Sequence, residues 1–159
     1  MGRGTTVLLA LLAVLLAASC SSGPVRRISE PAASIQQLTV QADGSWSVSL
    51  RLQNFSSIPM RFEAVDLELE VGGQPAGALR HDAALEIGPE SADVVEVALD
   101  PGSKARMLLA DALASGRGVD YGFEGSIRAA PADRGSARSY TVKRSSALSP
   151  TPGLPGVLR

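Results

Sequence analysis

The chain holds one histidine and one cysteine. His81 stands beside Asp82, and a carboxylate next to an imidazole can orient it as a general base. Such a base needs a nucleophile, and no motif places one, so His81-Asp82 reads as a surface turn. Glu86, Glu90 and Asp93 could offer oxygens to Ca²⁺, but a calcium loop needs a denser run of oxygen ligands. They read as a solvated edge. Glu63, Asp66, Glu68 and Glu70 form an acidic run. Glu68 and Glu70 alternate with apolar neighbours, which puts them on the wet face of a strand. Gly116-Arg117-Gly118 lacks the strand–loop–helix setting of a phosphate cradle. Trp46 could stack on a ligand, but it shares parity with Val48 and Leu50 and is assigned to the core. Asn54 is a turn residue whose side chain can bond nearby backbone. The residues announce no catalytic site, no metal site and no cofactor, and the chain reads as a non-enzyme.

The cysteine tells more. Residues 1–19 have one charge, Arg3, and then an almost unbroken Leu/Ala/Val run from Val7 to Ala18. That run is too short for a transmembrane helix of ~20 residues and fits a signal-peptide core. Leu16-Ala17-Ala18-Ser19-Cys20 resembles a bacterial lipobox. The resemblance implies cleavage between Ser19 and Cys20 and acylation of Cys20, the covalent lipid being the chain's only expected attached group. An ordinary secretory signal with a chance cysteine is the alternative. Two or more acyl chains give stable anchoring, at about 0.8 kcal/mol per buried CH₂. Ser21 follows the cysteine, and the absence of Asp there implies sorting to the outer membrane if the cell is Gram-negative. The expected place is the cell envelope, lipid-anchored and facing the periplasm.

Without Arg3 the basic count falls from 15 to 14 against 16 acidic residues, a balance of −2. That is no electrostatic footprint for nucleic acid. About 140 residues remain after cleavage, enough for one domain with a real core. Residues 20–34 read as the acylated cysteine and a flexible tether. Residues 146–159 form a tail rich in Pro and Gly, unsuited to a helix or a central strand.

Between them the apolar residues repeat with period two. Trp46, Val48, Leu50 and Leu52 alternate with polar residues, the signature of a strand with one buried face. In MRFEAVDLELEV, Met60 and Phe62 share one parity and Val65, Leu67, Leu69 and Val71 the other. One extra residue flips the face, so a bulge is expected near Ala64. Asp43-Gly44 and Gly72-Gly73 read as hairpin turns. Gln74 to Arg80 reads as an edge strand, which Ala84 to Ile87 extends. Val95 to Leu99, Val119 to Ala129 and Ser139 to Lys143 add three more strands, and Ile35 to Gln41 another. Ser103 to Ala114 reads as one short helix with Ser103 as its cap. About seven strands at ~10-residue spacing predict an all-β fold, an antiparallel sandwich over residues 35–145.

LRLQNFSSIPMRFEAVDLELEVGGQPAGAL, residues 50–79, resembles the type 2 late-embryogenesis-abundant domain, also called the water-stress and hypersensitive-response (WHy) domain. Asn54 matches the first residue of the family's turn, and Ile58-Pro59-Met60 the start of the following strand. Phe55 stands where that turn usually carries Pro. The short helix followed by VDYGFEGSI is similar to the family's helix and tyrosine-bearing strand. The resemblance implies a fibronectin-III/immunoglobulin-like β-sandwich, no enzymatic activity, and a link to stress protection. The function expected is therefore a lipid-anchored envelope protein with a stress-protective or binding role. The alternative is an accessory lipoprotein of an envelope transport or outer-membrane assembly machine. The partners expected are the membrane, through the lipid, and an envelope protein.

Overall fold

The structure, a computed structural model, describes residues 25–82 and 84–159. The cleavage site at Ser19 and Cys20 lies outside the described residues. Among the described residues, nine strands and one helix follow in order: β1 (Ala32–Val40), β2 (Trp46–Gln53), β3 (Met60–Val71), β4 (Gln74–His81), β5 (Leu85–Ile87), β6 (Ala92–Leu99), α1 (Ser103–Ala114), β7 (Val119–Pro131), β8 (Arg138–Leu148) and β9 (Val157–Leu158). They form two antiparallel sheets. One runs β6-β2-β1-β9 and the other β4-β3-β7-β8, with β5 also paired to β3. The alternation read in the sequence is what lets them stack, because each strand contributes one apolar face to the shared interior.

The expected sandwich is present, with nine strands rather than about seven. The two additional strands are three and two residues long. β5 pairs with Met60–Phe62 beyond the reach of β4, which pairs with Val65–Val71. β9 adds to the edge of β1 at Leu38 and Thr39.

β3 is the central strand of its sheet, and its parity switch has the expected cause. The register against β7 shifts between Phe62 and Ala64. Met60, Phe62, Val65, Leu67, Leu69 and Val71 consequently all point inward and are at most 2% exposed. β1 carries a second bulge between Ile35 and Gln37, and its buried positions likewise change parity, from Ala33 and Ile35 to Leu38. The Tyr121 hydroxyl accepts from the Ile35 N–H at 3.2 Å, tying β7 to β1 across the core. Trp46 is 1% exposed, so the core assignment holds.

α1 covers the edge of β4, inserting Ala105, Leu109 and Ala112. Its N-cap is Gly102 and not Ser103, and no side chain caps it. The Gly102 N–H instead donates to Ala76 O at 2.9 Å, docking the helix start onto β4. A Cβ on Gly102 would lie 2.9 Å from Pro75 O, so only glycine permits that approach.

The domain boundaries move outward at both ends. β1 begins at Ala32, inside the segment read as tether. β8 continues to Leu148, and the following stretch to Arg159 folds back against the sandwich. Ser149 and Arg159 exchange both backbone hydrogen bonds, and β9 then pairs with β1. The prolines and glycines of this stretch make the turns that return the chain to an edge, where proline is tolerated.

Candidate functional site

The two ends of the sandwich are defined by the strand directions. One end carries loops 54–59, 88–91 and 132–137, and the N-terminal segment 25–31 arrives there. The other carries turns 41–45 and 72–73, α1, and the returning segment 149–156. The sequence-predicted turn residues Asn54 and Pro59 lie at the first end.

Asn54 is 1% exposed and is the hub of that end. Its Nδ2 donates to Ile58 O at 2.9 Å, Ile87 O at 3.1 Å and Gly88 O at 2.9 Å. Its Oδ1 accepts from the Ser56 N–H at 2.8 Å. One carboxamide thus closes its own loop and fastens that loop to the chain leaving β5. A buried amide gains little net stability per bond, but removing it strands every partner. The backbone completes the joint: Asn54 N–H donates to Ser91 O, and Glu90 N–H to Ser56 O. Glu90 has φ +49°, the one non-glycine residue in that region among those described. Pro59 O accepts from the Ala132 N–H at 3.0 Å, which brings in the third loop.

Residues 25–29, read from sequence as a free tether, are fastened to this end. Arg27 N–H donates to Ser57 Oγ at 2.9 Å, and Ser57 N–H returns to Arg27 O at 3.0 Å. Ser29 N–H donates to the buried Ser56 Oγ at 3.0 Å. Arg26 forks onto Asp133 at 2.6 and 3.1 Å and also donates to Arg134 O. Arg27 reaches Glu90 at 2.8 Å and Phe55 O at 3.3 Å. The Arg26 hydrogen bond holds the Asp133 carboxyl down at about 2, with help from the Arg134 N–H. The sequence shows a short, largely small or polar stretch here; what converts it into a strap is a set of partners about 30 and 107 residues away.

A groove of about 340 Å³ runs between this strap and the turn joining β7 to β8, lined among others by Ile28, Glu30, Arg134, Arg138 and Tyr140. The other candidate residues stay apart from it or are spoken for. His81 ends β4 and Asp82 follows it exposed, with no nucleophile bonded to either among the described residues. Glu90 is held by Arg27 and does not converge with Glu86 and Asp93. No group of three or more metal-ligating side chains occurs among the described residues. Three of the four acids in the run on β3 are paired with cations: Arg80 serves Asp66 and Glu68, and Arg61 and Arg128 serve Glu63. Arg61 first and Arg128 second lower the Glu63 carboxyl below its usual range.

The arrangement can hold, orient and bind; the described residues show no juxtaposed acid, base and nucleophile. No protein-family model matches the chain, and no curated protein matches it in sequence. Three solved structures are similar in chain path. One, described as a late-embryogenesis-abundant protein, shares 15% identity over 96% of this chain and 86% of its own, with TM-score 0.49. An Arabidopsis thaliana protein shares 11% over 79% and 80%, with TM-score 0.48. A protein from Archaeoglobus fulgidus shares 12% over 79% and 98%, with TM-score 0.45.

Proposed function

We propose that the chain is a lipid-anchored, non-enzymatic envelope protein whose sandwich is of the type 2 late-embryogenesis-abundant kind, with a binding or stress-protective role. The observation that carries this reading is the Asn54 joint. The residues on which the resemblance rests take the structural roles that the pattern asks of them. Asn54 closes the turn, Pro59 precedes β3, β3 runs unbroken to Gly72-Gly73, and the helix leads into Tyr121 on β7. The lipobox at Cys20 supplies the anchor. The mechanism is contact: a folded, hydrated surface held beside the membrane, with its loops and sheet edges offered to neighbours.

The test compares wild type and Cys20→Ala made in a Gram-negative host. Wild type is expected to carry the mass of an acylated chain beginning at Cys20 and to partition with membranes, and the variant to lose both. The protective role is checked by drying or freezing a labile enzyme with and without the protein. Unchanged enzyme loss removes that half of the reading.

An accessory role in an envelope machine is the second reading. It is favoured by an apolar groove of about 490 Å³ at the far end of the sandwich, where Leu113, Pro150, Leu154 and Pro155 meet. A photocrosslinker at Leu154 that captures one envelope protein in intact cells supports it.

A further inference from the structure

The strap fixes where the folded domain begins. Hydrogen bonds to the main chain hold it from Val25 O onward, since the Ser57 hydroxyl donates to that carbonyl at 2.8 Å. Only four residues, Ser21 to Pro24, separate Val25 from Cys20. Five Cα steps of at most ~3.6 Å give a reach of about 18 Å. A domain anchored through Cys20 therefore keeps this end within about 18 Å of the lipid attachment, two to three headgroup layers at full stretch, whatever path those residues take.

The same end is unusually apolar for a loop surface. Val25 is 81% exposed, Phe55 50% and Ile28 47%, which is half of the six exposed large hydrophobics among the described residues. They sit on the two segments that the strap bonds join, 25–29 and 55–57. Beside them, Arg134 and Arg138 line the groove and form no ion pair among the described residues, while Arg26 and Arg27 are already engaged. Glu30 is the single carboxylate among the groove's lining residues. Exposed apolar side chains flanked by uncommitted guanidiniums suit the boundary between acyl chains and anionic headgroups.

We propose that this end is a membrane-docking surface. Val25, Ile28 and Phe55 rest in the interfacial layer of the bilayer that holds the Cys20 lipid, and Arg134 and Arg138 engage lipid phosphates. The domain then stands on the membrane in one orientation, with α1 and Gly72-Gly73 pointing away. The proposal rests on the anchoring reading above.

The test uses the full acylated chain in vesicles of phosphatidylethanolamine and phosphatidylglycerol. Acylated Cys20 has no thiol, so a nitroxide can be attached singly at Phe55→Cys, Val25→Cys or Met107→Cys, the last on the far-end helix. Co-flotation with the vesicles is read first. Labels at 55 and 25 are expected to be shielded from a water-soluble nickel relaxant and reached by oxygen, while the label at 107 is open to nickel. Arg134→Glu with Arg138→Glu is expected to keep flotation and reduce that contrast. Flotation with equal nickel access at 55, 25 and 107 overturns the docking and leaves the anchor standing. Contrast that survives the double substitution overturns the phosphate contacts. A chain without acyl mass that does not float overturns the anchoring reading, and the docking falls with it.

Discussion

At the end that receives the N-terminal segment, three loops and the strap are joined by side chains: Asn54 to four backbone groups, Ser56 and Ser57 to the strap, Arg26 and Arg27 to acids on two other loops. At the opposite end, backbone geometry does the joining. Gly44, Gly72 and Gly73 take φ of +86°, +57° and +72°, Gly72 N–H donates to Asp120 O, and α1 packs its small apolar face on β4. Turns of the second kind are local and tolerate sequence change as long as glycine remains. Joints of the first kind depend on distant partners and fail together when one member is removed.

The contrast is broken most directly at Asn54. Asn54→Ala leaves three carbonyls and one N–H without their partner, and about 3 kcal/mol of stability is expected to go, with Tm lower by roughly 10 °C. Asn54→Asp, of the same shape, is expected to be no better, because an oxygen then faces those carbonyls. Thermal unfolding followed by circular dichroism checks both; a Tm within about 2 °C of wild type would remove Asn54 as the hub.

Gly72→Ala probes the other end. The positive φ costs about 1–2 kcal/mol, and the new Cβ would meet the Leu108 side chain at 2.6 Å. Gly73→Ala carries the same backbone penalty with nothing within 4 Å. The expected order is Gly72→Ala below Gly73→Ala in denaturant midpoint, and the gap between them reads the contact with α1. Equal midpoints would mean that Leu108 yields freely.

Acid separates the ends further. The Asp133 carboxyl is held at about 2, below its usual 3.8. A depressed pKa stabilises the folded form above the ordinary value and loses that contribution as pH falls through the folded one. The strap's Arg26–Asp133 contact is therefore expected to loosen between about pH 4 and pH 2. Protection of the Arg27 and Ser29 amides, with the intrinsic exchange rate at each pH divided out, should fall there before protection in β3 does. Simultaneous loss in both would show that the strap has no stability of its own to lose.

The smallest effect is expected at Phe55. Its ring is half exposed and only its carbonyl is used by the strap, so Phe55→Ser is expected to shift stability by no more than about 0.5 kcal/mol. A larger loss in urea unfolding would make Phe55 a packing residue.

How much of this was legible in the sequence follows the same division. β2, β3 and the two glycine turns were readable because period two and positive φ are local signals, and the face switch at Ala64 located its bulge. α1 was readable to the residue, though not its cap, because Gly102 docks on Ala76 through a contact no local pattern encodes. β8 beyond Lys143 was missed because it is an edge strand with one outward run from Lys143 to Ala147 and so has no alternation to read. β9 is two residues long and is held by β1 on one side and by the returning residues Pro150 and Thr151 on the other, contacts too sparse to leave a local pattern. Asn54 and Pro59 were legible as turn residues, whereas the reach of Asn54 to Ile87 and Gly88 was not. The strap was invisible for the same reason, since Val25 to Ser29 is polar enough to pass for linker until its partners are in place.

Trp46 is the chain's one tryptophan, is 1% exposed, and its indole Nε1 has no hydrogen-bond partner among the described residues. An indole in dry, apolar surroundings emits at the short-wavelength end of its range, and water moves that emission to the red. The protein thus carries its own optical gauge of core integrity, seated at the start of β2 and away from Phe55. Its colour reports whether the two sheets are still closed, in solution or on a vesicle, for the purified protein with no dye attached.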